Sequence, residues 1–193
     1  MPQHIRKPNN PIPNDWIAPN YSEHRIADYK PFNFVDGEGV RCSLYVSGCL
    51  FLCPGCYNVA AQNFHFGQPY TKDLEDKIIE DLSHDYVQGL TLLGGEPFLN
   101  TEVCLQLCRR IRKEFGNSKD IWSWTGYTWD ELIHDSYDKV RLLSLIDILV
   151  DGRFLEDEND LTLQFRGSAN QRIIDVQKSI NAHDVVIWDK LVR

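Results

Sequence analysis

The sequence has no long hydrophobic run. Its longest largely apolar stretch, Leu44 to Cys53, is interrupted by Ser47 and Gly48 and falls far short of the roughly 20 residues that span a bilayer. It has no apolar N-terminal region of the kind that directs secretion. It also lacks an excess of positive charge, since 20 Lys and Arg stand against 28 Asp and Glu, a net −8. Nonspecific binding of nucleic acid or of anionic membranes needs a basic field, so neither partner is expected. No internal repeat or low-complexity tract interrupts the chain. These absences make the cytoplasm, a reducing compartment, the expected location. Disulfide frameworks belong mainly to small secreted domains, so the six cysteines read as free thiols or metal ligands.

What is present suffices for one core. The 193 residues are 42% hydrophobic and 11% aromatic, within the range of a single globular domain. Six of the nine prolines (2, 8, 11, 13, 19 and 31) lie in the first 31 residues. Residues 1–31 therefore read as an extended arm, tied to its own domain by Trp16, Ile17 and Tyr21, and residues 32–193 as the domain proper. Strand-like and helix-like segments then alternate. Strands are expected at 40–46, 89–93, 121–124, 148–150 and 163–165, and helices at about 72–83, 101–115 and 138–146. Thr71 is placed to cap the first helix, and Thr128 with Glu131 has capping-box spacing. Alternation of this kind implies right-handed βαβ units and a mainly parallel sheet. Ligands of α/β sheets bind at the carboxyl ends of such strands. Those ends carry Cys49/Cys53/Cys56, Gly94-Gly95-Glu96, Trp124-Thr125-Gly126-Tyr127 and Asp151-Gly152-Arg153, so all four are expected on one rim.

Three cysteines fall within eight residues, as Cys49-Leu-Phe-Leu-Cys53-Pro-Gly-Cys56. Three thiolates on one loop can hold three irons of a [4Fe–4S] cluster, whereas an electron-transfer cluster takes a fourth cysteine. Cys42 lies in a strand, and Cys104 and Cys108 are one helical turn apart on an apolar stripe; buried cysteine behaves as a small hydrophobe, and all three are read as packing. A zinc site completed by His65, and three unligated cysteines, are the alternatives. About forty residues downstream stands Gly94-Gly95-Glu96-Pro97. Its glycines let a ligand approach the backbone, its carboxylate can accept from an ammonium group, and its proline fixes the exit from the strand.

The two motifs together resemble the signature of the radical S-adenosylmethionine enzymes, Cys-x3-Cys-x2-Cys followed by a Gly-Gly-Glu turn. Over residues 32–172 the chain is similar, within that family, to the activating proteins of anaerobic ribonucleoside-triphosphate reductases. The segments Phe34-Val-Asp-Gly-Glu-Gly-Val-Arg-Cys42, Val46 to Asn58, Gly67-Gln-Pro-Tyr-Thr-Lys72, Leu93-Gly-Gly-Glu-Pro97, Asp120 to Tyr127, Val150-Asp-Gly-Arg-Phe154 and Arg166 to Gln171 carry the likeness. The resemblance implies a partial, open (βα) barrel, since the chain is short for the roughly 250 residues of a full eight-stranded one. It implies reductive cleavage of S-adenosylmethionine at a [4Fe–4S] cluster to a 5′-deoxyadenosyl radical, which takes a hydrogen from a glycine of the reductase large subunit. It implies a reduced flavodoxin-type electron donor.

Residue by residue, the resemblance makes Cys49, Cys53 and Cys56 the cluster ligands. Gly94, Gly95 and Glu96 receive the methionine amino group, and Gly55 and Tyr57 touch the adenosine. Many relatives carry an aromatic residue before the third cysteine, where this chain has Gly55, so Tyr57 or a backbone contact takes its place. Asp151 and Arg153 are on the rim as candidate contacts to ligand or partner, with Arg153 read in preference as an ordinary surface arginine. Trp122 and Trp124 are read as core packing on alternate faces of their strand. Arg166, Asn170 and Gln171 match the family pattern without an assigned role. Activation of another glycyl-radical enzyme such as pyruvate formate-lyase, and a zinc-stabilised binding module without enzymatic activity, are the competing functions.

Overall fold

The computed structural model describes residues 7–12 and 14–190. Seven strands form one mixed sheet in the order β3-β1-β2-β4-β5-β6-β7. They are β1 (Arg25–Asn33), β2 (Val40–Val46), β3 (Gln68–Pro69), β4 (Val87–Gly94), β5 (Asp120–Trp124), β6 (Ile148–Asp151) and β7 (Arg172–Asp175). Five helices connect or follow them: α1 (Lys72–Leu82), α2 (Thr101–Phe115), α3 (Trp129–Leu132), α4 (Tyr137–Leu143) and α5 (Val176–Ala182). The central strands β2, β4, β5 and β6 are parallel, joined by α1, by α2 and by the α3–α4 pair. The parallel core is the expected one, and the flanking strands β1, β3 and β7 run antiparallel to their neighbours. Among the described residues no helix is long and apolar enough to cross a membrane.

Local chemistry explains the elements. The Thr71 side chain accepts from the Leu74 amide at the start of α1, and Thr128 and Glu131 close a reciprocal capping box at α3. Helix α2 turns Val103, Cys104, Leu107, Cys108 and Ile111 to the sheet; Cys42, Cys104 and Cys108 are fully buried in this apolar layer, as packing residues should be. A second cluster gathers Trp122, Ile148, Val150, Ile173 and Trp188. Trp122 and Trp124 share one face of β5 rather than alternate faces, because residues i and i+2 of a strand point the same way; their rings lie 5.9 Å apart.

Two expectations need correction. The boundary at residue 31 falls inside β1, which pairs with β2 from Ile26 to Asn33. Pro31 disguised the strand. It sits where the pairing register shifts, with Phe32 at φ +56°, and bulges and edges are where strands tolerate proline. The other correction concerns residues 163–165, which are a turn and not a strand. The Asp160 carboxylate accepts from both the amide and hydroxyl of Thr162, and the Leu163 amide donates to the Asp160 carbonyl. These local bonds outcompete a ladder, and the last strand lies beyond, at β7.

Candidate functional site

The parallel pairing puts Val46 opposite Gly94, so the loop after β2 and the turn after β4 emerge side by side. Hydrogen bonds then fasten them together. The Gly95 amide donates to Val46 at 2.7 Å and the Glu96 amide to Gly48 at 2.8 Å, while Gly48 and Cys49 donate to the carbonyls of Ala61 and Gln62. A methyl group on Gly95 would stand 2.5 Å from the Gly48 oxygen and 2.8 Å from that of Ala61; the close approach leaves room for glycine alone. The expected rim is thus formed. One open cavity is lined by Cys49, Cys53 and Cys56, by Gly94, Gly95 and Glu96, and by Trp124, Thr125, Gly126, Gly152, Phe154 and Gln171.

All three cysteines are free and partly buried. The backbone of Phe51 and Leu52 lies beside the Cys49 sulfur, and that of Phe154 beside the Cys53 sulfur, and both contacts favour the thiolate form. Burial nevertheless pushes both thiols up, Cys53 to about 11, and the neighbouring Glu96 charge adds to the rise at Cys49. A metal that takes these sulfurs as thiolates therefore releases protons on binding. Among the described residues no three His, Cys, Asp or Glu side chains converge on a single ion, as a mononuclear zinc site needs. A cubane cluster sets no such demand, because each thiolate binds its own iron. His65 lies away from the cavity with its side chain 76% exposed, 3.9 Å from Glu23. The donor set thus fits the cluster, with Cys49, Cys53 and Cys56 as the residues that can hold it.

Glu96 is 1% exposed and its carboxylate is claimed by its own chain. Oε1 accepts from the Phe98 amide at 3.0 Å and the Thr125 hydroxyl at 2.8 Å, and Oε2 accepts from the Gly126 amide at 2.8 Å. Burial raises its pKa to about 7 against the pull of these donors. The side chain thus ties the turn after β4 to the turn after β5, a role the motif alone did not suggest. Gly55 sits at φ +71°, a conformation that disfavours an aromatic residue. Tyr57 is 99% exposed and does not line the cavity. The aromatic rings that do are Phe51, Trp124 and Phe154, of which Phe51 and Phe154 carried no sequence signal beyond their place beside the motifs.

The remaining rim residues are structural. Asp151 is buried, paired with Arg172 at 2.5 Å and accepting from the Trp129 amide at 2.8 Å. Arg153 is not a surface arginine. Its side chain is 13% exposed, binds Glu131 at 2.6 Å and lies 5.1 Å over the Phe51 ring. Gln171 accepts from the amides of Gly167 and Ser168 and donates to the Gly152 carbonyl at 2.9 Å; Asn170 donates to the Arg153 carbonyl, and Arg166 to that of Gln171. Together they fasten the segment 152–171 beside the cavity. The arm adds a strap. Asn9 donates from its amide and its side chain to the carbonyls of Phe51 and Leu50, both at 2.7 Å. Trp16 packs edge-on against Phe51 and Tyr127, and its carbonyl accepts from the buried Lys139 at 2.7 Å.

Comparison with known proteins agrees with this geometry. Residues 35–174 match the family described as a 4Fe-4S single cluster domain. The anaerobic ribonucleoside-triphosphate reductase-activating protein of Salmonella typhi is 46% identical over 151 residues, 76% of this chain and 96% of the relative. The protein of that name from Escherichia coli K12 is 46% identical over 147 residues, 74% and 93% of the two chains. Its Vibrio cholerae counterpart is 47% identical over 149 residues, 75% and 94%. Identity near one half, extending over nearly the whole of each relative, shows that this chain belongs to the anaerobic ribonucleoside-triphosphate reductase-activating proteins.

Proposed function

We propose that the protein activates an anaerobic ribonucleoside-triphosphate reductase by generating a glycyl radical on its large subunit. The observation that carries this reading is the single cavity in which the three cysteines meet the Gly-Gly-Glu turn. Cys49, Cys53 and Cys56 would hold the [4Fe–4S] cluster, and the Gly-Gly-Glu side of the same cavity would take S-adenosylmethionine. Bound there and reduced, the cluster would supply the one-electron chemistry that cleaves S-adenosylmethionine and so forms the glycyl radical of the reductase.

The chain's own residues do the positioning. The backbone at residues 51, 52 and 154 flanks the Cys49 and Cys53 sulfurs. Gly94 and Gly95 offer backbone, without side chains, to the methionine amino group. Glu96 acts on this subsite through its bonds to Phe98, Thr125 and Gly126, which fix the two turns that border it. A sheet whose outer strands β3 and β7 do not pair with each other supports an open barrel of the radical S-adenosylmethionine type, with a side through which a protein segment can enter. The electron donor is of the reduced flavodoxin type, and the activity belongs to the cytoplasm.

Anaerobic reconstitution should give iron and sulfide in near-equal amounts and four irons per chain. With reductase, reductant and S-adenosylmethionine, electron paramagnetic resonance should show a glycyl radical. The signal should vanish when the reductase glycine is replaced by alanine. A signal that persists in that control, or one zinc without sulfide after reconstitution, overturns the reading.

A further inference from the structure

Three aromatic rings line the cavity, and two are already engaged. Phe51 is 1% exposed and enclosed by Trp16 at 5.1 Å, Tyr127 at 5.0 Å and the Arg153 guanidinium at 5.1 Å. Trp124 stacks beside Trp122 at 5.9 Å and donates its indole N–H to the Phe165 carbonyl. Phe154 is half-buried, and among the described residues no ring or cation lies over its face. It follows β6, at the carboxyl end of a central parallel strand.

Two glycines lie close to this ring, one near each side. A methyl group on Gly55 would stand 3.2 Å from its Cε1 atom, and one on Gly167 would stand 3.0 Å from Cδ2 and 3.3 Å from Cε2. The ring lies between the cysteine loop and the 167 turn, and among the described residues no other ring stacks on it. Phe154 and Cys53 line the same cavity, so the ring stands near a candidate cluster ligand. A flat, rigid apolar face beside the cluster is suited to a purine, whose π-face stacks on aromatic side chains.

We propose that Phe154 is the platform on which the adenine of S-adenosylmethionine stacks, an assignment that rests on the cofactor reading above. It fills the role that Tyr57 cannot fill from its exposed position and that an aromatic residue at position 55 is denied by a left-handed backbone. Phe154 is then a binding residue for the nucleoside and not for the methionine end of the ligand.

The test uses anaerobically reconstituted full-length protein and the uncleavable ligand S-adenosylhomocysteine, with the Kd read by isothermal titration calorimetry. Phe154→Leu keeps apolar volume in the slot and removes the flat face. It should retain its iron and sulfide and bind S-adenosylhomocysteine about ten-fold or more weakly. Phe154→Tyr keeps the ring and should bind within about two-fold of wild type. Equal affinity of wild type and Phe154→Leu overturns the assignment alone. Equal weakening in Phe154→Leu and Phe154→Tyr also overturns it, because packing and not stacking would then be at work. Failure of the reconstituted wild type to bind S-adenosylhomocysteine overturns the cofactor reading and the assignment with it.

Discussion

Replacing Glu96 by glutamine tests whether the Gly-Gly-Glu carboxylate is a structural tie. In the wild type both oxygens accept, Oε1 from Phe98 and Thr125 and Oε2 from Gly126. Glutamine has one acceptor oxygen, and its amide nitrogen accepts nothing. The best placement keeps the oxygen on Phe98 and Thr125 and sets the nitrogen against the Gly126 N–H. One buried donor is then orphaned, at a cost of about 1–3 kcal/mol. A protonated carboxyl avoids this penalty, because its hydroxyl oxygen still accepts. The comparison is therefore sharpest where Glu96 is neutral. Burial raises its pKa from 4.5 in the unfolded chain to about 7 in the folded one. A raised folded pKa means that the folded state holds the proton more tightly, so its stabilising contribution is complete below pH 4.5 and is lost as pH rises through 7. In full that is about 3 kcal/mol, of which about 1.4 kcal/mol is lost between pH 6 and pH 8. Glutamine does not titrate. Urea unfolding of the metal-free protein, under reductant, should find E96Q less stable by about 1–3 kcal/mol at pH 6, with the gap about 1.4 kcal/mol smaller at pH 8. A mutant as stable as wild type at pH 6, or a gap that widens toward pH 8, refutes the tie.

Other substitutions separate the layers of the structure. Cys53→Ala should abolish iron and sulfide binding, whereas Cys104→Ala should keep both and lose only about 1–2 kcal/mol of packing in urea unfolding. Gly95→Ala drives a methyl group into the carbonyls of Gly48 and Ala61; it should destabilise by about 1–3 kcal/mol and lower the iron retained after desalting. Arg41 is fully buried, ion-paired to Asp120 at 2.5 Å and hydrogen-bonded to Thr91 and to the Leu90 carbonyl, both at 2.7 Å. Arg41→Met strands these partners at the opposite end of the strands from the cysteines, and should cost about 3–5 kcal/mol in unfolding experiments while leaving the iron content of the folded fraction unchanged.

Some of this was legible in the sequence because the signals are local. The 3.6-residue stripe of α2 already separates Cys104 and Cys108 from the loop cysteines, and Thr71, Thr128 and Glu131 announce their caps by spacing. The alternation of strands and helices is enough to imply a parallel core, and with it a shared rim for Cys49, Gly94 and Gly126. Other features turn on partners distant in sequence. Pro31 and the bulge hid β1, whose place depends on pairing with β2. Arg153 looked like a surface residue, and it is only partly exposed because Glu131, Phe51 and the Asn9 strap converge on it. The carboxylate of Glu96 carries the same type of charge wherever it stands. Only the turn after β5 decides that it serves as a tie, by bringing the Thr125 hydroxyl and the Gly126 amide within hydrogen-bond reach. A motif names the donors and acceptors available within a few residues. The sheet decides which of them face one another, because register fixes distances between segments that the chain itself leaves free.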